Sequence, residues 1–328
     1  MRNTFAIFFA ALIFSGGCLA PSSGGKLKEY SETRELIGTF ITVTVYAGGE
    51  SAASEAINAS FAEMTRLGED LSHYSTTNKV HELNTEGFEH PVLLTPDLAV
   101  VLNAFLYYSN LSSGAFDITV NPLVLMWEEM KDTNVYPTEE EIEETKARVG
   151  YPYLKISGNS AQFTKPNMSI TLGAIAKGYI VDRGLEELKR CGIKHALINA
   201  GGQVGVFGGK PDGSPWTIAL RNPRNASDYI TLINLTDGAV ATSGDYERYY
   251  TPDMKVHHIM DPHTGYSATS LISATIIAEN GTHADALSTT VFVLGPEEGI
   301  KLAESLPGVQ ALVITENKTI IKTKGFRF

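Results

Sequence analysis

Helical and strand patterns occupy different parts of this chain, and this separation limits the folds that it can adopt. Apolar residues at helical spacing predict a helix over residues 51–71, directly after residues 36–46, whose alternation is typical of a half-buried strand. The second half contains short β-forming runs, such as "HALINA", "WTIAL" and "LISATIIA", separated by Gly, Pro, Asn and Asp. No internal repeat or long loop marks a domain boundary. The pattern predicts one α+β domain, of one or two lobes.

Capping residues mark where further helices begin. Thr95 followed by Pro96 predicts an N-cap and a first turn. Thr138 with Glu141 three residues later predicts a capping box. Another helix is predicted over residues 174–191, and a last helix–strand pair closes the chain.

The first residues have the features of an export signal. Arg2 precedes the apolar stretch "FAIFFAALIF", which is too short for a membrane span of about 20 residues. Small residues then lead to Cys18, which predicts a lipoprotein signal in residues 1–18, a flexible linker over residues 19–30 and a folded domain over residues 31–328. The expected location is the outer face of the cytoplasmic membrane, with Cys18 carrying the lipid. Ordinary cleavage nearby, which would give a soluble secreted protein, is the alternative.

Charge and cysteine content exclude some function classes. The net charge of −11 speaks against nucleic-acid binding, because phosphate contacts need clustered Lys and Arg. With two cysteines in all, the chain has no cysteine cluster for zinc or an iron–sulfur centre.

Two stretches contain candidate functional residues. In "SSGAFDITVNPL", Asp117 is either a functional carboxylate or the capping residue of a turn, with Phe116 in the core. In "LGAIAKGYIVD", Lys177 lies near a helix start, where an ammonium and free N–H groups can meet a phosphate. The alternative is a surface lysine beside glycines that permit close helix packing.

Two later stretches suggest close ligand approach and a metal site. The paired glycines of "NAGGQVGVFGG" expose backbone, although their spacing is not the dinucleotide-binding fingerprint. In "HADALSTTVFVLG", Asp285 and Thr289 are four residues apart and share one helix face. A carboxylate, a hydroxyl and a backbone carbonyl are ligands that Mg²⁺ accepts. The alternative is that Asp285 only offsets the helix dipole.

The stretch "VHHIMDPHTGYS" places three imidazoles close together, those of His257, His258 and His263. Its Asp261-Pro262 and Thr264-Gly265 pairs are typical of a turn. We therefore interpret the stretch as a turn that orients one histidine, not as a transition-metal site.

These motifs occur in a fixed series: "LSHY", "GAFDITVNPL", "LGAIAKGYIVD", "LINAGGQV", "AVATSGDYERYY", "HHIMDPHTGYS" and "HADALSTT". The series resembles the FAD:protein FMN transferase family, the ApbE-like flavin transferases, from about residue 36 to the C-terminus. The resemblance implies a single ApbE-like α+β domain, related to the T-fold, with mixed β-sheets and packed helices. It makes residues 31–328 the flavin transferase domain.

The resemblance also implies a reaction and its partners. FAD is the substrate and Mg²⁺ the cofactor; FMN is joined to a Thr or Ser hydroxyl of an acceptor protein, and AMP leaves. The expected acceptors are flavoprotein subunits of membrane redox complexes of the RNF or NQR type. FAD hydrolysis to FMN and AMP, and a non-catalytic FAD-binding lipoprotein, are the alternatives.

Site residues follow from the resemblance by position. The expected FAD contacts are Ile37, Tyr74, Ala115, Phe116, Asp117, Thr171, Lys177 and Ile259. The expected metal ligands are the carbonyl of Ala174, the carboxylate of Asp285 and the hydroxyl of Thr289. His258 is the expected base that activates the acceptor hydroxyl, with a pKa near the ordinary 6.5. The rate of transfer would therefore fall as the pH drops through this range, since a protonated imidazole cannot accept a proton. His257 and His263 are expected to be structural or exposed, and nearly silent when replaced.

The chain departs from the family pattern at several positions, two of which, Ile37 and Thr171, are expected FAD contacts. Ile37 stands where the family usually has Met, a mild change of apolar contact. Thr171 stands where the family usually has Asp, and Gln203 stands where the family often has Asp. The loss of a carboxylate at Thr171 is expected to alter FAD affinity or metal binding.

Overall fold

The computed structural model describes residues 26–326 of the 328-residue chain. The predicted signal sequence over residues 1–18 and the predicted lipidation of Cys18 lie outside the described residues. The first strand begins at Lys28, inside the stretch predicted as linker.

The chain forms thirteen strands and seven α-helices within the described residues. The strands are β1 Lys28–Leu36, β2 Thr39–Ala47, β3 Val92–Leu93, β4 Leu154–Ser157, β5 Ser160–Phe163, β6 Ala196–Ala200, β7 Gln203–Phe207, β8 Trp216–Asn222, β9 Asn225–Leu235, β10 Gly238–Gly244, β11 Leu271–Ala278, β12 Gln310–Thr315 and β13 Ile320–Lys322. The helices are α1 Glu50–Asp70, α2 Lys79–Glu86, α3 Pro96–Leu111, α4 Asn121–Thr133, α5 Glu139–Lys146, α6 Ala176–Arg190 and α7 Gly281–Ser305.

A large sheet of eight strands organises the molecule, in the order β1-β2-β6-β7-β10-β11-β12-β13. Helices α1, α6 and α7 pack on one face, and the hairpin of β8 and β9 covers part of the other. Alternate residues of one strand therefore enter different cores: Ala239 and Ala241 face the helices, whereas Val240 packs with Leu220 and Ile233 of the hairpin. Strand β11 is buried along its whole length because both of its faces are covered.

The pairing of the strands refines the sequence-based expectation. The α+β class is confirmed. The resemblance implied mixed β-sheets, but every ladder among the described residues is antiparallel. This includes the ladder between β11 and β12, which α7 connects.

The predicted helix boundaries agree closely with the structure. Helix α3 begins after Thr95, whose hydroxyl accepts the backbone N–H of Leu98, and α5 begins with the predicted capping box of Thr138 and Glu141. The predicted strand over residues 36–46 is instead the end of β1, a tight turn and most of β2. The turn forms because Ile37 and Gly38 both adopt left-handed conformations, with φ of 49° and 72°.

A smaller unit completes the fold. It contains α2 to α5 and the three-stranded sheet β3-β5-β4. Trp127 on α4 anchors the stretch after residue 256, because its Nε1 donates to the carbonyl of Gly265 at 2.8 Å. Among the residues described, no helix combines the length and the apolar character that crossing a membrane requires.

Candidate active site

A cavity of about 430 Å³ opens beside the end of the large sheet. The turn between β1 and β2, the turn between β6 and β7, and the last residues of β10 reach it from the sheet. The smaller unit contributes residues near 115–128, and α7 supplies one wall. Its size lies within the range of small-molecule sites, about 300–1,000 Å³.

Every site residue expected from the sequence lines this cavity. They are Ile37, Tyr74, Ala115, Phe116, Asp117, Thr171, Ala174, Lys177, His258, Ile259, Asp285 and Thr289. The structure thus brings together residues that are up to 252 positions apart in the chain (Ile37 to Thr289, 289 − 37). Their assignment to flavin or metal stays a prediction.

Asp285 is buried at this cavity and held by two hydrogen bonds. Its side chain is 2% exposed, its Oδ1 accepts from Nε2 of Gln203 at 2.6 Å, and its Oδ2 accepts from the backbone N–H of Gly178 at 2.9 Å. Burial raises the pKa of Asp285 to about 6, which the positive charge of Lys177 partly offsets. A buried carboxylate of this kind is stabilised when a cation binds beside it.

Close packing of two helices makes this arrangement possible. A Cβ on Gly178 would collide with the carbonyl oxygen of Gly281, so only glycine lets α6 approach α7 closely enough to donate to Asp285. The predicted packing role of this glycine is therefore confirmed. Asp182 on α6 fixes the same contact, because its carboxylate accepts from the backbone N–H groups of Gly281 and Thr282 at 2.6 and 2.8 Å.

Hydroxyl groups of β10 and α7 add to the polar lining of the cavity. The hydroxyl oxygen of Ser243, near the end of β10, lies 2.8 Å from that of Ser288 and 3.1 Å from that of Thr289. Ser243 and Thr289 both line the cavity, together with Ala174. Within residues 26–326, no three His, Cys, Asp or Glu side chains form a group that could hold a metal ion. The side-chain oxygen donors that line the cavity here are the carboxylate of Asp285 and the hydroxyls of Ser243 and Thr289.

His258 has a defined tautomer. Its Nδ1 lies 3.0 Å from the backbone carbonyl oxygen of Arg248, and a carbonyl can only accept, so Nδ1 carries the proton and Nε2 keeps its lone pair. Burial, helped by the charge of Arg248, lowers the pKa of His258 to about 3. The expected pKa near 6.5 is therefore wrong, because the ring is partly buried and lies close to the positive charge of Arg248. The ring is a neutral proton acceptor across the physiological range.

The two neighbouring histidines have different environments. His257 is 1% exposed, its Nε2 lies 3.0 Å from the carbonyl oxygen of Ala268, and its Nδ1 accepts from the backbone N–H of Ile259 at 3.2 Å. His263 is exposed, and its Nδ1 lies 3.2 Å from Oδ1 of Asp261. The predicted structural role of His257 agrees with this burial, but its predicted silence on replacement does not.

Asp117 combines a capping role with a position in the cavity. Its Oδ1 accepts from the backbone N–H and the hydroxyl of Thr119 at 2.8 and 2.7 Å, and its Oδ2 accepts from the backbone N–H of Tyr151 at 2.6 Å. Burial raises the pKa of this carboxyl to about 6. Both interpretations of the sequence, capping and site residue, therefore describe the same side chain.

The mouth of the cavity is aromatic. Tyr74 is 67% exposed and stacks on His73 with ring centroids 3.9 Å apart. Nδ1 of His73 lies 3.4 Å from the hydroxyl of Thr171, and burial, with the charge of Arg248, lowers the pKa of His73 to about 4. At position 171 this chain thus places a neutral hydroxyl against a neutral imidazole.

Several residues of the cavity had no role predicted from the sequence. His73, Ser243 and Arg248 line it, and Gln203 was noted only as a departure from the family pattern. The first three lie within motifs that carry the resemblance, "LSHY" and "AVATSGDYERYY". That position in a motif was the available indication, but the residue type alone does not reveal which way a side chain points.

Comparison with known proteins identifies the family. The model of the ApbE family matches residues 37–313. This chain belongs to the ApbE family.

ApbE relatives match it over most of their length. The FAD:protein FMN transferase of Treponema pallidum is 30% identical, over 94% of this chain and 91% of the relative. The ApbE protein of Thermotoga maritima has the same fold, with a TM-score of 0.83, 32% identity, and coverage of 90% of this chain and 97% of that chain. The flavinyl transferase ApbE of Pseudomonas stutzeri, in its apo form, has a TM-score of 0.81 at 29% identity, over 91% of this chain and 95% of that one. The resemblance stated from the motifs is confirmed.

Proposed function

We propose that this protein transfers the FMN moiety of FAD to a Thr or Ser hydroxyl of an acceptor protein and releases AMP. The observation that carries the proposal is the convergence of all twelve expected residues on one cavity. The printed names of the relatives, FAD:protein FMN transferase and flavin transferase, support the same reaction class.

Mg²⁺ fits the donor set around Asp285. A carboxylate, the hydroxyl of Thr289 and the carbonyl of Ala174 are hard oxygen ligands, and the raised pKa of Asp285 indicates a buried charge that a cation would stabilise. When bound, Mg²⁺ would neutralise charge that develops on the phosphate oxygens. The chain's own part is to hold the carboxylate in place through Gln203 and Gly178.

We assign removal of the acceptor's proton to the free Nε2 of His258, which the low pKa of this ring keeps unprotonated. The hydroxyl oxygen of the acceptor forms a bond to the phosphorus of the FMN half, and the bond from that phosphorus to the bridging oxygen breaks. AMP leaves with the bridging oxygen, and the hydroxyl proton passes to the free Nε2 of His258. Lys177 offers an ammonium beside the same cavity to offset negative charge on the phosphates.

Export and anchoring belong to this proposal as well. The apolar N-terminal stretch and Cys18 suggest an exported lipoprotein that meets its acceptor outside the cytoplasm. Flavoprotein subunits of RNF- or NQR-type redox complexes are the proposed acceptors. The linker after Cys18 would let the domain reach them from the membrane surface.

Product analysis tests the proposed reaction. The purified mature chain is incubated with FAD, Mg²⁺ and a candidate acceptor domain, and the products are separated by mass. A gain of one FMN on the acceptor, with an equal amount of AMP, supports transfer. Free FMN with AMP would point to hydrolysis, and unchanged FAD in a stable complex would point to a carrier; either result overturns the proposal.

A further inference from the structure

We propose that Arg248 performs two tasks in one residue: its guanidinium binds the substrate's pyrophosphate, and its backbone carbonyl orients His258. This inference rests on the proposed function, since it names a further residue for the same reaction. It concerns a side chain for which neither the motif comparison nor the residue pattern gave a role.

The guanidinium lies at the cavity between two of its walls. Its Nη1 donates to the hydroxyl oxygen of Tyr74 at 3.4 Å. On the other side, a Cβ added to Gly173 would lie 3.4 Å from Nη2, so the guanidinium packs against the segment that leads to Ala174 and Lys177. The arginine head group is therefore held near the predicted metal ligand and the ammonium, facing the same space.

No carboxylate neutralises this guanidinium within the part of the chain that the structure describes. Arg66, Arg183 and Arg224 each form an ion pair with a carboxylate at 4.0 Å or less, whereas Arg248 forms none. Glu247 also lines the cavity but does not form an ion pair with Arg248. The positive charge of Arg248 acts on the cavity instead, because it helps to lower the pKa of both His73 and His258.

An unpaired arginine in such a place suits a diphosphate ligand. The guanidinium presents several N–H donors in a planar fork that matches two phosphate oxygens, while Lys177 supplies a point charge nearby. The protein as a whole carries a net charge of −11, so a local pair of cations is needed to hold an anionic substrate.

The backbone of the same residue fixes the base. The carbonyl oxygen of Arg248 accepts from the backbone N–H of His258 at 3.1 Å and from its Nδ1 at 3.0 Å. Because one residue carries both contacts, the position of the bound phosphate is linked to the position of the free Nε2. Arg248 is thus a binding residue through its side chain and a positioning residue through its carbonyl.

Flavin binding tests the side-chain task without any activity measurement. Affinities for FAD, FMN and riboflavin are measured by fluorescence titration for the wild type, Arg248→Gln and Arg248→Lys. We expect Arg248→Gln to weaken FAD binding about 10- to 100-fold, as the loss of charge-assisted hydrogen bonds does, and to leave riboflavin, which has no phosphate, within about twofold. Arg248→Lys should recover part of the FAD affinity, and added salt should weaken FAD binding less in Arg248→Gln than in the wild type.

A matched control and two contrary outcomes complete the test. Arg190→Gln removes an exposed guanidinium that pairs with Glu187 on α6, and it should change none of the affinities. Equal losses for FAD and riboflavin in Arg248→Gln would mean that the arginine only supports the shape of the cavity. Unchanged FAD affinity would mean that the guanidinium does not touch the phosphates. Neither outcome depends on whether FMN is transferred, so failure of the proposed function is scored separately by the acceptor assay.

Discussion

Nε2 of Gln203 donates a 2.6 Å hydrogen bond to Oδ1 of Asp285, and both side chains are buried. Gln203 is the first residue of β7, and Asp285 lies one turn into α7, so the bond joins the sheet to the helix that forms a cavity wall. An amide at this position donates to the carboxylate without adding a second negative charge.

Two replacements of Gln203 should separate the effect of its hydrogen bond to Asp285 from the effect of a charge beside this carboxylate. Gln203→Ala leaves a buried oxygen of Asp285 without one donor, and we expect the free energy of unfolding to fall by about 1–3 kcal/mol. Gln203→Glu adds a like charge, so this variant should be less stable than the wild type without Mg²⁺ and should gain more stability when Mg²⁺ is added. Urea unfolding with and without Mg²⁺ measures both effects. A Gln203→Glu variant that Mg²⁺ stabilises no more than the wild type would contradict the placement of the metal beside Asp285.

Asp285→Ala should abolish Mg²⁺-dependent transfer and leave a folded protein. The carboxylate is the one charged ligand of the proposed site, but its raised pKa shows that its burial as an anion is unfavourable, and this offsets the two hydrogen bonds that the variant loses. Thr289→Ala should reduce transfer less, since water can replace a neutral hydroxyl. Turnover is measured across a Mg²⁺ titration, with circular dichroism to confirm folding. Wild-type turnover by Asp285→Ala at limiting Mg²⁺ would rule out the assignment.

The sequence predicted most of the fold because its local patterns are strong. Capping residues and apolar spacing located α1, α3, α5 and α6, and the short β-forming runs located most strands of the large sheet. The turn at Ile37 was missed because β-branched residues rarely adopt positive φ, so the alternating run looked continuous. Helix α4 was also missed, since it begins within "SSGAFDITVNPL", which was interpreted as a turn or as part of a functional site.

The site was predictable as a set of residues but not as an environment. Motifs identified twelve of the residues that line the cavity, whereas pKa values depend on what surrounds each group. The charge of Arg248 lies ten residues before the ring, and the burial of His258 arises only in the folded chain, so the turn motif itself did not indicate a pKa of about 3. The support of Asp285 by Gln203 likewise joins residues 82 positions apart.

The proposed anchor makes a prediction for the whole chain. Cys18→Ala should move the protein from the membrane fraction to the soluble fraction, because a lipid on Cys18 would be its attachment. Turnover of the released protein with FAD and a soluble acceptor should be unchanged, since the flexible linker separates the anchor from the domain. Membrane fractionation and metabolic labelling with a fatty acid check both points. A wild type found wholly in the soluble fraction would contradict the lipid anchor.

The titration of His258 should be displaced far from the ordinary histidine range. The ring stays neutral in the folded protein down to a pKa of about 3, whereas the unfolded chain takes up this proton near 6.5. The contribution to stability is therefore complete above about pH 6.5 and is lost as the pH falls from there toward 3, because only the unfolded state then binds the proton. NMR of ring nitrogens labelled with ¹⁵N should show the Nδ1–H tautomer of His258 unchanged between pH 8 and 5. An inflection of this ring near pH 6.5 would show that the imidazole is not shielded as the geometry indicates.

The three imidazoles of "HHIMDPHTGYS" should respond differently to replacement by alanine. His258→Ala should lower kcat for transfer by about 10²- to 10⁴-fold with little change in FAD binding, since proton removal matters in the transition state. His257→Ala should lower the free energy of unfolding by about 2–4 kcal/mol, because it empties a buried site and leaves the carbonyl of Ala268 and the N–H of Ile259 without their partner. His263→Ala should change stability by no more than about 0.5 kcal/mol, as its ring is exposed. Thermal unfolding, FAD titration and single-turnover transfer on the three variants separate these effects. A loss of kcat in His263→Ala equal to that in His258→Ala would show that the base has been assigned to the wrong histidine.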